Sequence, residues 1–179
     1  MRRPTLTDAQ ISEALAEAKP RPTNFRAWLS PKHIPNHRQH QISRIVTGVS
    51  GRRFAVYARI NPARESDFSL GFRLVLPSKD EIGLVRCNGW QGEHRNKLER
   101  GNDNYRIPPD TCHIHTATER YLAVDKTLED IGFAVPTQEF SDFRTAVEYF
   151  VEAYSFVSEE TGCGYKRPPT LPGFKNDSP

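Results

Sequence analysis

The chain has 179 residues, of which 36% are hydrophobic, 26% charged and 10% aromatic, with a net charge of +3. That length suits one domain with an extension, and the aromatic content is too high for a chain disordered throughout. No run of about 18 apolar residues offers a membrane span, no charged-then-apolar start reads as a secretory signal, and three cysteines (Cys87, Cys112, Cys163) without a C-x-x-C pair exclude a disulfide scaffold and a cysteine zinc finger. The expectation is a reduced, cytoplasmic protein with no membrane partner.

The charge is unevenly placed. Residues 1–64 carry 12 Lys/Arg and 3 Asp/Glu, whereas residues 65–179 carry 13 and 19. No acid lies between Glu17 and Glu65, and arginine outnumbers lysine 18 to 7 over the chain. Arginine offers a planar fork that pairs bidentately with phosphate or carboxylate. The basic half therefore suits RNA or another anionic partner, with Arg38, Arg44, Arg52, Arg53 and Arg59 as candidate nucleic-acid contacts. Pairing with the acidic half, or with an acidic partner chain, explains the same asymmetry.

In chain order, Thr7 and Gln10 form a capping-box pattern that predicts a helix over about 8–18, with Ile11, Leu15 and Ala18 at helical spacing. Four prolines make 20–36 a loop, pinned to the core by Phe25, Trp28 and Leu29. Alternation then predicts strands at 54–60, 68–76 and 82–88, with a hairpin turn at 77–80 and Phe68, Leu70, Phe72, Leu74 and Leu76 on one face. A polar loop over 89–105 leads to a short strand at 112–116. Ser141 is positioned to cap a last helix over 141–156, whose Phe143, Val147, Phe150, Val151 and Tyr154 share one side. Residues 161–179 read as a flexible tail. The expected fold is α+β: an antiparallel meander of four or five strands, an N-terminal helix and a C-terminal amphipathic helix packed on the sheet. The expected divisions are an N-terminal helix with a basic Pro-rich segment (1–48), an α+β core (49–160) and the tail.

The histidines fall into two groups. His33, His37 and His40 sit among cations with no carboxylate near, which suits a hydrated basic surface. His113 and His115, as C-H-I-H-T, project from one side of a strand about 7 Å apart at Cα, with Ile114 on the other side. His94, in G-E-H-R-N-K, lies in a loop that must return to that strand. Arg86, Asn96, Arg120 and Tyr121 flank the group in sequence. Three roles are open to it. The imidazoles can act as general acid and base in phosphodiester cleavage without a metal, since a histidine with a pKa of about 6.5 exchanges protons near neutrality. They can bind zinc or another divalent metal with one position left for water. Or they can simply hold the 89–111 loop.

The run R-C-N-G-(x)4-H-R-N-K-L-E, then C-H-I-H-(x)3-E-R-Y, then a closing amphipathic helix resembles small uncharacterised bacterial proteins with an H-x-N element and an H-I-H strand. It is similar to the TumE-like toxins of bacterial toxin–antitoxin pairs. The pattern falls on Arg86, Asn88, Gly89, His94, Asn96, His113, His115, Glu119, Arg120 and Tyr121, within about residues 53–156. The resemblance implies a small protein of a toxin–antitoxin or defence locus that acts on RNA and is neutralised by a cognate antitoxin. The leading expectation is a metal-independent ribonuclease, needing no cofactor, with His94, His113 and His115 as the acid–base set. Arg86 and Arg120 would hold the phosphate, with Asn96 and Tyr121 to orient it. A non-enzymatic binding module for nucleic acid or protein, and a metal-dependent hydrolase using the three histidines, are the alternatives.

Overall fold

The computed structural model describes residues 5–35, 38–124 and 131–158. His37, Cys163 and the expected tail at 161–179 lie outside the described residues.

The architecture is α+β, built on one antiparallel sheet. Six strands make it: β2 (His40–Thr47), β3 (Arg53–Asn61), β4 (Arg64–Val75), β5 (Glu81–Asn88), β8 (His113–Thr116) and β9 (Phe133–Pro136), in the order β2-β3-β4-β5-β8-β9. The four or five strands expected from the sequence become six. Both additions lie at the margins of the sheet, where alternation is weakest: Ile42 and Val46 in β2 face the core while Arg44 between them stays exposed, and β9 has only four residues.

The remaining elements are short apart from two helices. They are α1 (Asp8–Ala16), β1 (Lys19–Arg21), α2 (Phe25–Trp28), β6 (His94–Arg95), β7 (Arg106–Ile107), α3 (Glu119–Leu122), α4 (Phe143–Ala153) and β10 (Phe156–Ser158), with 3-10 turns at Lys97–Glu99 and Asp103–Tyr105. The capping box is present: Thr7 accepts from the Gln10 amide and Gln10 returns the bond to Thr7. The last helix starts one residue later than the serine suggested. Asp142 is its N-cap, bonded to the Thr145 amide, and Thr145 answers to the Asp142 amide. A carboxylate satisfies the free amides of a first turn and also meets the positive end of the helix dipole, so it outcompetes the neighbouring Ser141 hydroxyl.

The sheet has two unlike faces. On one, Phe54, Val56, Phe68, Leu70, Phe72, Leu74, Cys87 and Ile114 pack with Ala146, Val147 and Phe150 of α4. Phe72 meets Phe150 edge to face at 5.6 Å, and Phe68 meets Phe140 and Phe143. Phe25 and Leu29 are buried in the same core and Trp28 packs on it. The other face is polar. Ladder partners place Tyr57, Gly71, Arg86 and His115 in one row across β3, β4, β5 and β8. The next row is Arg59, Ser69, Asn88 and His113.

A bulge in β5 makes this division. Arg73 pairs with Gly83 but Phe72 pairs with Val85, so Leu84 is the extra residue. Regular alternation from Ile82 would send Arg86 and Asn88 into the core. The bulge reverses the phase and turns both to the polar face.

Candidate functional site

β8 brings His113 and His115 side by side on the polar face, as the H-x-H spacing requires. The loop after β5 returns through the β6–β7 hairpin and lays His94 against them. The His94 ring lies 4.5 Å from His115 and 5.6 Å from His113, and the latter two are 5.0 Å apart. One ring nitrogen from each histidine lies within 4.8 Å of those of the other two. His113 and His115 are buried and His94 is half-buried.

Backbone carbonyls assign the tautomers. His113 Nδ1 donates to the Thr111 carbonyl at 2.8 Å, and His115 Nδ1 donates to that of Ile131. Both Nε2 lone pairs then face the Asn88 amide, whose Nδ2 lies 3.2 Å from the first and 3.1 Å from the second. The amide is oriented by the Ser69 hydroxyl, which donates to Asn88 Oδ1 at 2.8 Å. His94 Nε2 contacts two acceptors, Asn96 Oδ1 at 3.1 Å and the Gly132 carbonyl at 3.3 Å, so it carries the proton and Nδ1 keeps the lone pair.

Asn96 is fully buried and completely bonded. Its Oδ1 also accepts from the Ala134 amide at 2.8 Å, and its Nδ2 donates to the Asn104 and Ala134 carbonyls. It ties the loop to β9 and holds the His94 ring. Arg86 lies directly against the cluster. Its Nη2 is 3.4 Å from Nδ1 and 3.3 Å from Nε2 of His115. That contact, nearly equidistant from the two ring nitrogens, places the guanidinium cation directly beside the imidazole.

The electrostatics favour neutral rings. Burial lowers the pKa of all three histidines, and the Arg86 charge adds to the effect. His113 is pushed down to about 4 and His115 well below its ordinary value. Cys87, on the core face, and Cys112 are buried, and burial pushes both thiols up, which keeps them protonated.

The other expected residues are dispersed. Arg120 bonds the Leu98 carbonyl and the Glu99 carboxylate. The Tyr121 hydroxyl accepts from the Leu98 amide while its ring packs on Phe133. Both serve the turn at 97–99, and among the described residues no hydrogen bond or ring contact joins either to a histidine of the cluster. The basic contacts also separate. Arg53 and Arg59 alternate onto the polar face, Arg44 onto the opposite one, and Arg38 precedes β2. Arg52 pairs with Glu13 at 3.1 Å and Glu17 at 3.0 Å, an internal use of its charge. His33 and His40 lie edge to face at 5.5 Å, away from the other three.

Sequence reading gave no role to Ser69, Thr111 or the carbonyls of Ile131 and Gly132. A backbone acceptor leaves no trace in residue type, and Ser69 is meaningful only through its ladder partner Asn88. Comparisons with family models, with curated proteins and with solved structures return no match to this chain.

Proposed function

We propose that His94, His113 and His115 form a mononuclear divalent metal centre of the zinc type, and that the protein is a metal-dependent hydrolase. The observation that carries this is the tautomer pattern. Each imidazole donates one ring N–H to a backbone carbonyl and keeps the other nitrogen as a lone pair, the arrangement that orients metal-ligating histidines. Three protein ligands leave a fourth position for water in a tetrahedral site.

The ligand nitrogens of such a site stand roughly 3.3 Å apart for metal–nitrogen bonds of about 2.0–2.1 Å. One ring nitrogen of each histidine already lies within 4.8 Å of those of the other two, and loading would draw the ligand nitrogens together and displace the Asn88 amide from the two Nε2 lone pairs. Asn88 satisfies those buried lone pairs in the metal-free protein, which keeps the site formed before the ion arrives. A bound divalent ion supplies Lewis acidity and lowers the pKa of its water towards neutrality. The chain's part is to present neutral nitrogens, hold them on β8 and the β6–β7 hairpin, and place a cation at Arg86 beside the developing negative charge.

Acid–base cleavage without a metal needs one imidazole protonated near neutrality while another is free. Rings held neutral by burial and by Arg86 suit ligands better than they suit a general acid. The two mechanisms separate cleanly in one experiment. Protein purified without an affinity tag, stripped with EDTA and exposed to zinc or manganese is analysed for bound metal. One equivalent per chain is expected, lost in His113→Ala and in His115→Ala. Wild-type protein without stoichiometric uptake, or a His113→Ala variant that binds as wild type does, overturns the metal centre.

A further inference from the structure

We propose that the Arg86 guanidinium, with the Tyr57 hydroxyl beside it, binds a phosphate group, and that the substrate handled at the three histidines is a phosphate ester. The catalytic half of this statement rests on the metal-centre reading. The binding half depends only on the polar sheet face.

Among the described residues Arg86 is a cation without a counter-ion. Among the described residues it has no carboxylate within salt-bridge distance, unlike Arg52, Arg64, Arg73, Arg95, Arg120 and Arg144. Its Nε is buried and has no hydrogen-bond partner. Among the described residues its Nη2 meets the ring nitrogens of His115, a neutral partner. A half-buried guanidinium with unfilled donors is costly unless something anionic completes it. The His115 contact anchors one end of the fork, and the guanidinium keeps donors for the oxygens of an anion.

The surroundings select the ligand. The row Tyr57–Gly71–Arg86–His115 and the row Arg59–Ser69–Asn88–His113 contain no carboxylate. Gly71 gives Tyr57 its place: a Cβ there would lie 2.7 Å from the Tyr57 oxygen and 2.3 Å from the Val85 carbonyl. The phenol thus lies over the glycine that pairs with Arg86. Burial pushes the Tyr57 hydroxyl pKa up, against the pull of Arg86, Arg73 and Arg59, so it remains a donor. A guanidinium fork, a hydroxyl donor and further positive charge from Arg59 on the same face match a multiply charged tetrahedral anion better than a single carboxylate. The cluster's lone pairs lie one side chain away, beyond the His115 ring that Arg86 contacts.

Inorganic phosphate titrated into EDTA-stripped protein and followed by calorimetry is the test. Saturable binding is expected in wild type. Arg86→Gln should weaken it about tenfold or more, as removal of a charge-assisted bidentate contact does. Arg86→Lys should recover part of the loss, and Tyr57→Phe should weaken binding a few-fold. Arg144→Ala, on the outer helix, should bind as wild type. Thermal unfolding of each variant reports folding, and the Lys and Phe variants carry the test where the Gln variant is unstable. No saturable binding in wild type, unchanged binding in all three site variants, or equal affinity for acetate overturns the proposal. Metal uptake by the same preparations is read separately. Protein that binds phosphate through Arg86 but takes up no metal overturns the metal centre alone. Protein that takes up metal but not phosphate overturns the phosphate site alone.

Discussion

Three backbone carbonyls, those of Thr111, Ile131 and Gly132, set which nitrogen of each imidazole is available. Asn88 and Asn96 divide the remaining work: the first covers the lone pairs of His113 and His115, the second holds His94 by the protonated side. The burial that suits these rings to a metal also ties stability to pH. The unfolded chain binds a proton at His113 near pH 6.5, while the folded site resists it down to about 4. The unfolded state therefore binds more protons between these values, and folding stability falls as pH drops through that window. The fall from 6.5 to about 4 corresponds to about 3 kcal/mol. Urea unfolding of metal-free protein between pH 7 and pH 4 should show a loss of at least that order, since His94 and His115 are lowered in the same direction, with a shallower decline in His113→Gln. Equal pH profiles for the two proteins would reject this source of the dependence.

At the scale of elements, small local choices decide which way functional groups point. The bulge at Leu84 carries Arg86 and Asn88 to the polar face while Val85 and Cys87 stay in the core. The α4 helix, whose Val147 and Phe150 close that core, starts at Asp142 and not at Ser141. Loss of an N-cap side chain costs about 1 kcal/mol. Asp142→Ala should therefore lower stability by about that amount, whereas Ser141→Ala should change it by less than about 0.5 kcal/mol. Chemical denaturation of the two variants checks the assignment, and a larger loss from the serine change would reverse it.

Across the whole molecule, Lys19 joins the first and last strands of the described residues. It lies in β1, which pairs in parallel with β10, and it is fully buried. Its ammonium donates to the carbonyls of Leu15, Glu17 and Tyr154 at 3.1, 2.7 and 3.1 Å, and it sits over the rings of Phe54, Phe72 and Phe156. Burial pushes its pKa down to about 7, while three acceptors and three ring faces favour the charged form. Lys19→Met fills the volume but leaves three buried carbonyls without a donor. It should destabilise the protein by about 3 kcal/mol or more, read as a lowered thermal midpoint. A near-neutral effect would mean that these carbonyls find other donors. Nearby, the Glu17 carboxylate accepts from the Ser50 amide and pairs with Arg52, so part of the N-terminal positive charge is answered within the fold.

Local patterns were enough to determine much of this protein. The Thr7–Gln10 box, the alternation in β3 and β4, the one-sided α4 and the H-I-H strand are each written in neighbouring residues, because capping, strand pleat and helix turn act over two to four positions. The pairing of His113 with His115 was legible for the same reason. The tertiary structure alone decided the rest. His94 is held at the cluster by the Gly132 carbonyl and by Asn96, which is itself bonded to Ala134 of β9, and both long-range bonds span 38 positions of chain. Arg86 faces the histidines because a bulge, set by cross-strand pairing, changes the phase of β5. Arg120 and Tyr121, close in sequence, are turned to another loop. Long-range hydrogen bonds and ladder register depend on which segments meet in space, and sequence proximity carries no information about that.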